Sequence, residues 1–136
     1  MSADNTAIAR RIFAEVFNAN AADRMDDFAS PDLIVNYAGS EAPLRGLASY
    51  KELFTQDLPS FPDAHYTIDD LFGAGDKVAI RWRMDATHQG TYQGIAPTGK
   101  RVSLTGMSVY RFDGGKVAEG WVVTDSLGFM QQLGAA

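Results

Sequence analysis

The chain has 136 residues, 46% hydrophobic and 21% charged, which describes one globular domain, residues 1–136, long enough to bury a core. Its net charge is −5, with Lys and Arg scattered along it, which argues against nucleic acid or an anionic membrane surface as partner. There is no cysteine, so disulfides, a thiol nucleophile and a zinc–thiolate site are excluded.

The opening MSADNTAIARRIF carries charges where a signal peptide needs an apolar run. No apolar stretch approaches the roughly 20 residues that span a bilayer. The expectation is a cytoplasmic protein, and the lack of cysteine fits a reducing compartment.

From Thr6 to Asn18, Ile8, Ile12, Phe13, Val16 and Phe17 share one face of an amphipathic helix, with Asp4, Asn5 or Thr6 available as its cap. Ala22 to Ala29 reads as a second, short helical piece with Met25 and Phe28 inward, ended by Ser30-Pro31. Leu33 to Tyr37 is a short strand, and Ala38 to Arg45 a loop. Gly46 to Leu58 returns to helical spacing through Leu47, Tyr50, Leu53 and Phe54 before Pro59 and Pro62 close it.

Strands follow. His65 to Phe72 is the first, then the turn Gly73-Ala74-Gly75-Asp76, then a long strand from Lys77 to His88. On that strand Val78, Ile80, Trp82, Met84, Ala86 and His88 lie on one face, and Arg81, Arg83, Asp85 and Thr87 on the other. Gln89 to Lys100 is a loop. Arg101 to Phe112 and Lys116 to Thr124 are joined by the hairpin turn Asp113-Gly114-Gly115, and a short helix ends the chain. Helices first and an antiparallel meander second predict an α+β fold, with helices on one face of a curved sheet and a mostly apolar pocket between them.

On Lys116 to Thr124, period-2 counting places Val117, Glu119, Trp121 and Val123 on one face and extends it to Asp125. If that face looks into the pocket, Asp125 is a carboxylate on an apolar wall, where burial raises its pKa toward a value useful for proton transfer. Thr124-Asp125-Ser126 also precedes the last helix, so the same side chain can be its N-cap.

HQGTYQGIAPTGKRVSLTGMSVYRFDGGKVAEGW, followed by Asp125 and the tail LGFMQQLG, resembles the SnoaL-like polyketide cyclases, within the superfamily named for nuclear transport factor two. The resemblance spans nearly the whole chain. It implies a cone-shaped α+β barrel with a deep apolar pocket, usually a homodimer or higher homo-oligomer. It also implies an enzyme that closes a ring by an intramolecular aldol reaction without metal or organic cofactor, on a hydrophobic small-molecule substrate. Asp125 matches the position of the general acid/base.

The stretch VNYAGSE resembles the segment holding the catalytic base of ketosteroid isomerases, but Asn36 stands where that carboxylate would be. An amide takes no proton at neutral pH, so Asn36 is assigned to bind a substrate carbonyl. Asn36 and Tyr37 point to opposite faces, so at most one lines the pocket. The Asp-Arg-Asp set of the epoxide hydrolases finds no clear match, because strand alternation sets Arg81 and Arg83 opposite Trp82.

His88 shares the face of Trp82 and Met84 and can polarise a carbonyl, or it can simply end its strand. His65 starts a strand and stands in the same position. Trp82, Met107, Trp121 and Phe54 are candidates for the wall, beside Phe61 and Met130, although core packing is the simpler role for each. GIAPTGK lacks the spacing of a phosphate loop, and no histidine–carboxylate set has metal spacing. The expected function is thus a cofactor-independent cyclase with Asp125 and His88 catalytic and Asn36 and His65 among its binding residues. The alternatives are a non-catalytic binding module for a hydrophobic small molecule, or isomerase-like or epoxide-hydrolase-like chemistry in the same pocket.

Overall fold

The computed structural model describes residues 2–135. Helix α1 (Ser2–Ile12) continues directly into a π-helical turn, Phe13–Phe17, and a 3-10 turn follows at Ala22–Asp27. The helix starts earlier than expected, so Asp4, Asn5 and Thr6 lie in its first turns rather than capping it. Nothing in Ser2–Asn5 breaks a helix, and Asn5 is buried. The π-helical turn widens the helix where Phe13, Val16 and Phe17 are buried.

Six strands make one sheet: β1 (Ala29–Tyr37), β2 (Leu44–Arg45), β3 (His65–Ala74), β4 (Lys77–Thr87), β5 (Arg101–Asp113) and β6 (Lys116–Thr124). Their order is β2-β1-β6-β5-β4-β3. β1 runs parallel to β6 and every other pairing is antiparallel. β1 begins before Leu33 and includes Pro31, which is tolerated because β2 pairs only with Ile34 and Val35. Helix α2 (Leu47–Gln56) and the short α3 (Ser126–Gln132) complete the α+β fold. Among the described residues no helix is long and apolar enough to cross a membrane.

The core joins α1 and the π-helical turn to the inner face of the sheet. Ile12, Phe13, Val16 and Phe17 are buried in one cluster with Val78, Ile80, Trp82 and Met84 of β4 and Tyr110 and Phe112 of β5. The alternation expected on β4 holds over its whole length, since Val78, Ile80, Trp82, Met84 and Ala86 are all buried. On β6 it does not. Arg111 faces Glu119 but Phe112 faces Val117, so Ala118 is an extra residue, a β-bulge. Counting by twos from Val117 therefore goes out of phase. Val117 and Gly120 are buried, whereas Trp121, Val123 and Asp125 are exposed.

Candidate functional site

Between the helices and the inner face of the sheet lies a mostly apolar cavity of about 250 Å³. Phe13 and Phe17 of the π-helical turn, Phe54 of α2, Phe61, Trp82 and Phe129 supply flat walls. All five tyrosines of the chain, Tyr37, Tyr50, Tyr66, Tyr92 and Tyr110, line it as well. The exposed lining residues, Asn20, Leu53 and Asp57, mark its mouth.

Each tyrosine is set by its element. The Asn18 amide, at the end of the π-helical turn, donates to the Tyr66 carbonyl at 2.9 Å and accepts from the Tyr66 N–H at 2.7 Å. That clamp fixes Tyr66 between Phe17 and Trp82, with ring centroids at 5.3 and 5.7 Å. Tyr110 on β5 faces Gly120 on β6, where the missing side chain leaves room for its ring. Tyr92 comes from the loop 89–100 and packs edge-on against Phe61 and Phe129.

Burial is the main force on these phenols. It pushes Tyr37 and Tyr66 up to about 12. It raises Tyr50, Tyr92 and Tyr110 in the same direction. Tyr50 and Tyr110 are raised further by their phenol neighbours. Protonated phenols are O–H donors at neutral pH, so the cavity offers several neutral donors to the oxygens of a guest. At the mouth, partial burial raises the Asp57 carboxyl above the usual range although the residue still meets solvent. Asp57 is the one carboxylate of the lining, which contains no histidine, lysine or arginine among the described residues.

Of the residues singled out in the sequence, Trp82, Phe54 and Phe61 line this cavity, and Met130 does not. Trp82 also donates from Nε1 to Ser108 Oγ at 3.0 Å. The others stand elsewhere. Asp125 is the N-cap of α3: its Oδ1 accepts from Gly128 N–H at 2.9 Å, and the residue is exposed. It borders a shallow hollow on the outer face of the sheet with Asp69, Arg81, Met107 and Val123. Trp121 and Met107, 37% and 56% exposed, lie on that outer face. The bulge at Ala118 corrects Trp121 and Asp125. Met107 pairs with Arg81 and Val123, both on the outer side.

Asn36 points outward too, donating to Glu119 Oε2 at 3.0 Å and to the Gly120 carbonyl at 3.2 Å. The opposite-face expectation for Asn36 and Tyr37 holds, but Tyr37 is the one inside. His65 is exposed on the edge strand β3. His88 is fully buried, yet it is not among the lining residues. Its Nδ1 accepts from the Thr98 N–H at 3.2 Å and its ring stacks on Phe61, so it pins the loop 89–100. Arg81 and Arg83 lie opposite Trp82, paired with Asp69, as the alternation required. Among the described residues no group of three or more histidine and acidic side chains stands close enough to hold a metal ion.

The family description of SnoaL-like polyketide cyclases matches residues 7–133, nearly the whole chain. The chain belongs to the SnoaL-like polyketide cyclase family. Solved structures agree. A candidate polyketide cyclase from Acidithiobacillus ferrooxidans is 33% identical with a TM-score of 0.87, the match covering 98% of this chain and 96% of that one. AclR, a candidate hydroxylase from Streptomyces galilaeus, is 29% identical at a TM-score of 0.91, over 100% of this chain and 88% of its own. IdmH, a candidate polyketide cyclase from Streptomyces antibioticus, is 25% identical at 0.85, over 96% and 98%. None of the curated proteins compared matches the chain.

Missed in the sequence were the tyrosine set and Asp57. Tyr50 was visible on the apolar face of α2, and Tyr37 was the alternative to Asn36. Asp57 gave no signal beyond a carboxylate just before Pro59.

Proposed function

We propose that this SnoaL-like domain is a cofactor-independent cyclase that closes a ring by intramolecular aldol chemistry on a neutral, flat, poly-carbonyl substrate bound in the internal cavity. The observation that carries this is the convergence of all five tyrosines on one apolar cavity, their phenols kept protonated by burial. An aldol step builds negative charge on oxygen, first on the enolate and then on the alkoxide. Fixed O–H donors in a water-poor site stabilise that charge more than water does. A lining without cations favours a neutral ester over a free carboxylate. Aromatic walls suit a conjugated substrate.

The test is ring closure of a poly-β-ketone methyl ester, followed by absorbance, in the wild type and in Tyr37→Phe and Tyr66→Phe. Each lost hydroxyl leaves a developing oxyanion with one donor fewer. Turnover is expected to fall roughly 10- to 100-fold per hydroxyl, with the fold retained. Unchanged turnover in the double variant would remove the phenols from the chemistry.

A second reading, a binding module for hydrophobic small molecules, is favoured by the outward placement of Asp125 and the withdrawal of His88. It predicts tight binding of neutral polycyclic ketones with no turnover.

The family resemblance also implies a homo-oligomer, and we propose a homodimer through the outer face of the sheet. There Met107, Trp121 and Val123 are exposed between the Arg81, Arg83 and Asp69 ion pairs on one side and the Arg111–Glu119 pair on the other, so the patch carries both charge signs and can face a copy of itself. Trp121→Asp is expected to give a monomer by light scattering. An unchanged mass would place the contact elsewhere.

A further inference from the structure

We propose that Asp57, at the C-terminal end of α2, is the general base and then the general acid of the reaction. This rests on the reading of the cavity given above. The geometry comes first. Asp57 is the C-cap of α2, and its carbonyl accepts from the N–H groups of Ser60 and Phe61 at 3.1 and 3.3 Å, so its backbone is fixed. Its side chain stands at the mouth, between the apolar interior and solvent, where a proton can be exchanged after each turnover. It lines the same cavity as Tyr66 of β3 and Tyr92 of the loop 89–100, and its negative charge adds to the rise of both phenols.

The placement is also locally unfavourable. The C-terminal end of a helix repels negative charge, and cations are the usual residents there. No cation lowers the Asp57 carboxyl, whose only perturbation is the burial that raises it. A carboxylate held against both the helix dipole and desolvation is the kind of local misfit that functional sites tolerate. A raised carboxyl is also better matched to proton transfer near neutral pH than an ordinary one.

The step balances without any added reagent. The Asp57 carboxylate takes a proton from carbon between two carbonyls, and the C–H electron pair becomes the enolate. The enolate carbon attacks a second carbonyl carbon of the same molecule, forming one C–C bond and moving the carbonyl π pair onto its oxygen. Protonated Asp57 returns its proton to that alkoxide. Substrate and product are isomers, and the carboxylate is regenerated.

The base can be tested without the natural substrate. Incubate the protein with 2-tetralone, a neutral bicyclic ketone, in D₂O and follow loss of the α-proton by NMR. Binding of the same ketone is read from quenching of tryptophan fluorescence. The wild type is expected to catalyse exchange with an acid limb in its pH profile. Asp57→Asn is expected to bind the ketone but exchange it roughly 100- to 10,000-fold more slowly, with the acid limb gone. Asp57→Glu should recover part of the rate, and Asp125→Asn should exchange at the wild-type rate. Exchange surviving in Asp57→Asn, or binding without exchange in the wild type, overturns the assignment and leaves the cavity as a binding site. No binding at all overturns the reading of the cavity and this assignment with it.

Discussion

Gly106 lies against the indole of Trp82: a Cβ built there would overlap Trp82 Cζ2. The two residues are partners across β4 and β5. The ring covers the glycine, and its N–H donates to Ser108 Oγ at 3.0 Å. Gly106→Ala must push the indole away and break that bond. The expected cost is about 1–3 kcal/mol of stability, as for other overpacked cores. Weaker ketone binding should accompany it, because Trp82 is part of the wall. Chemical denaturation with a parallel binding titration checks both.

Asp57→Asn is expected to stabilise the protein at neutral pH while removing its catalysis. The sign follows from the raised carboxyl. Its folded-state pKa lies above the unfolded value, so the folded state holds the proton more tightly. Ionised Asp57 therefore costs stability above its folded pKa, and that cost vanishes as the pH falls below the unfolded value of about 4. The Tm difference between variant and wild type should be positive at pH 7 and close to zero at pH 3. A Tm that falls at pH 7 would show Asp57 making a stabilising contact instead. Such opposition between stability and activity is common at catalytic groups.

Asp125→Ala is expected to cost about 1 kcal/mol, the usual worth of a helix N-cap, and Asp125→Asn close to nothing because asparagine caps as well. Neither should change turnover, since the side chain is tied to Gly128 N–H outside the cavity. A loss of turnover in Asp125→Asn, with the melting curve unchanged, would return the catalytic role to Asp125.

The contrast between β4 and β6 shows how far sequence patterning reaches. Both strands were counted by twos. On β4 five inner residues were placed correctly, because its pairing with β5 runs without interruption from Lys77 to Thr87. On β6 one extra residue, Ala118, inverts every later side chain, and with it the places of Trp121 and Asp125. A bulge leaves little trace in residue type. The nearest trace is Gly120, a small residue opposite Tyr110, and it reads equally well as a gap in an ordinary strand. The order of elements was legible because helical and strand periods are distinct. The two-residue β2 was too short to show any period. The site was less legible because it is assembled from α2, β1, β3, β5 and a loop. Nothing in the linear order brings Tyr37, Tyr50, Tyr66, Tyr92 and Tyr110 together; only the packing of α2 and the loop 89–100 over the sheet does so.

The two tryptophans of the chain lie on opposite sides of the sheet, Trp82 in the wall of the cavity and Trp121 on the outer face. Their indole N–H signals give one direct test of where a ligand goes. In an ¹⁵N–¹H NMR titration with 2-tetralone, the Trp82 signal is expected to shift, because the ketone enters beside an N–H bonded to Ser108. The Trp121 signal should stay in place. Movement of Trp121 with Trp82 unmoved would contradict the account, by placing the site on the outer face near Asp125.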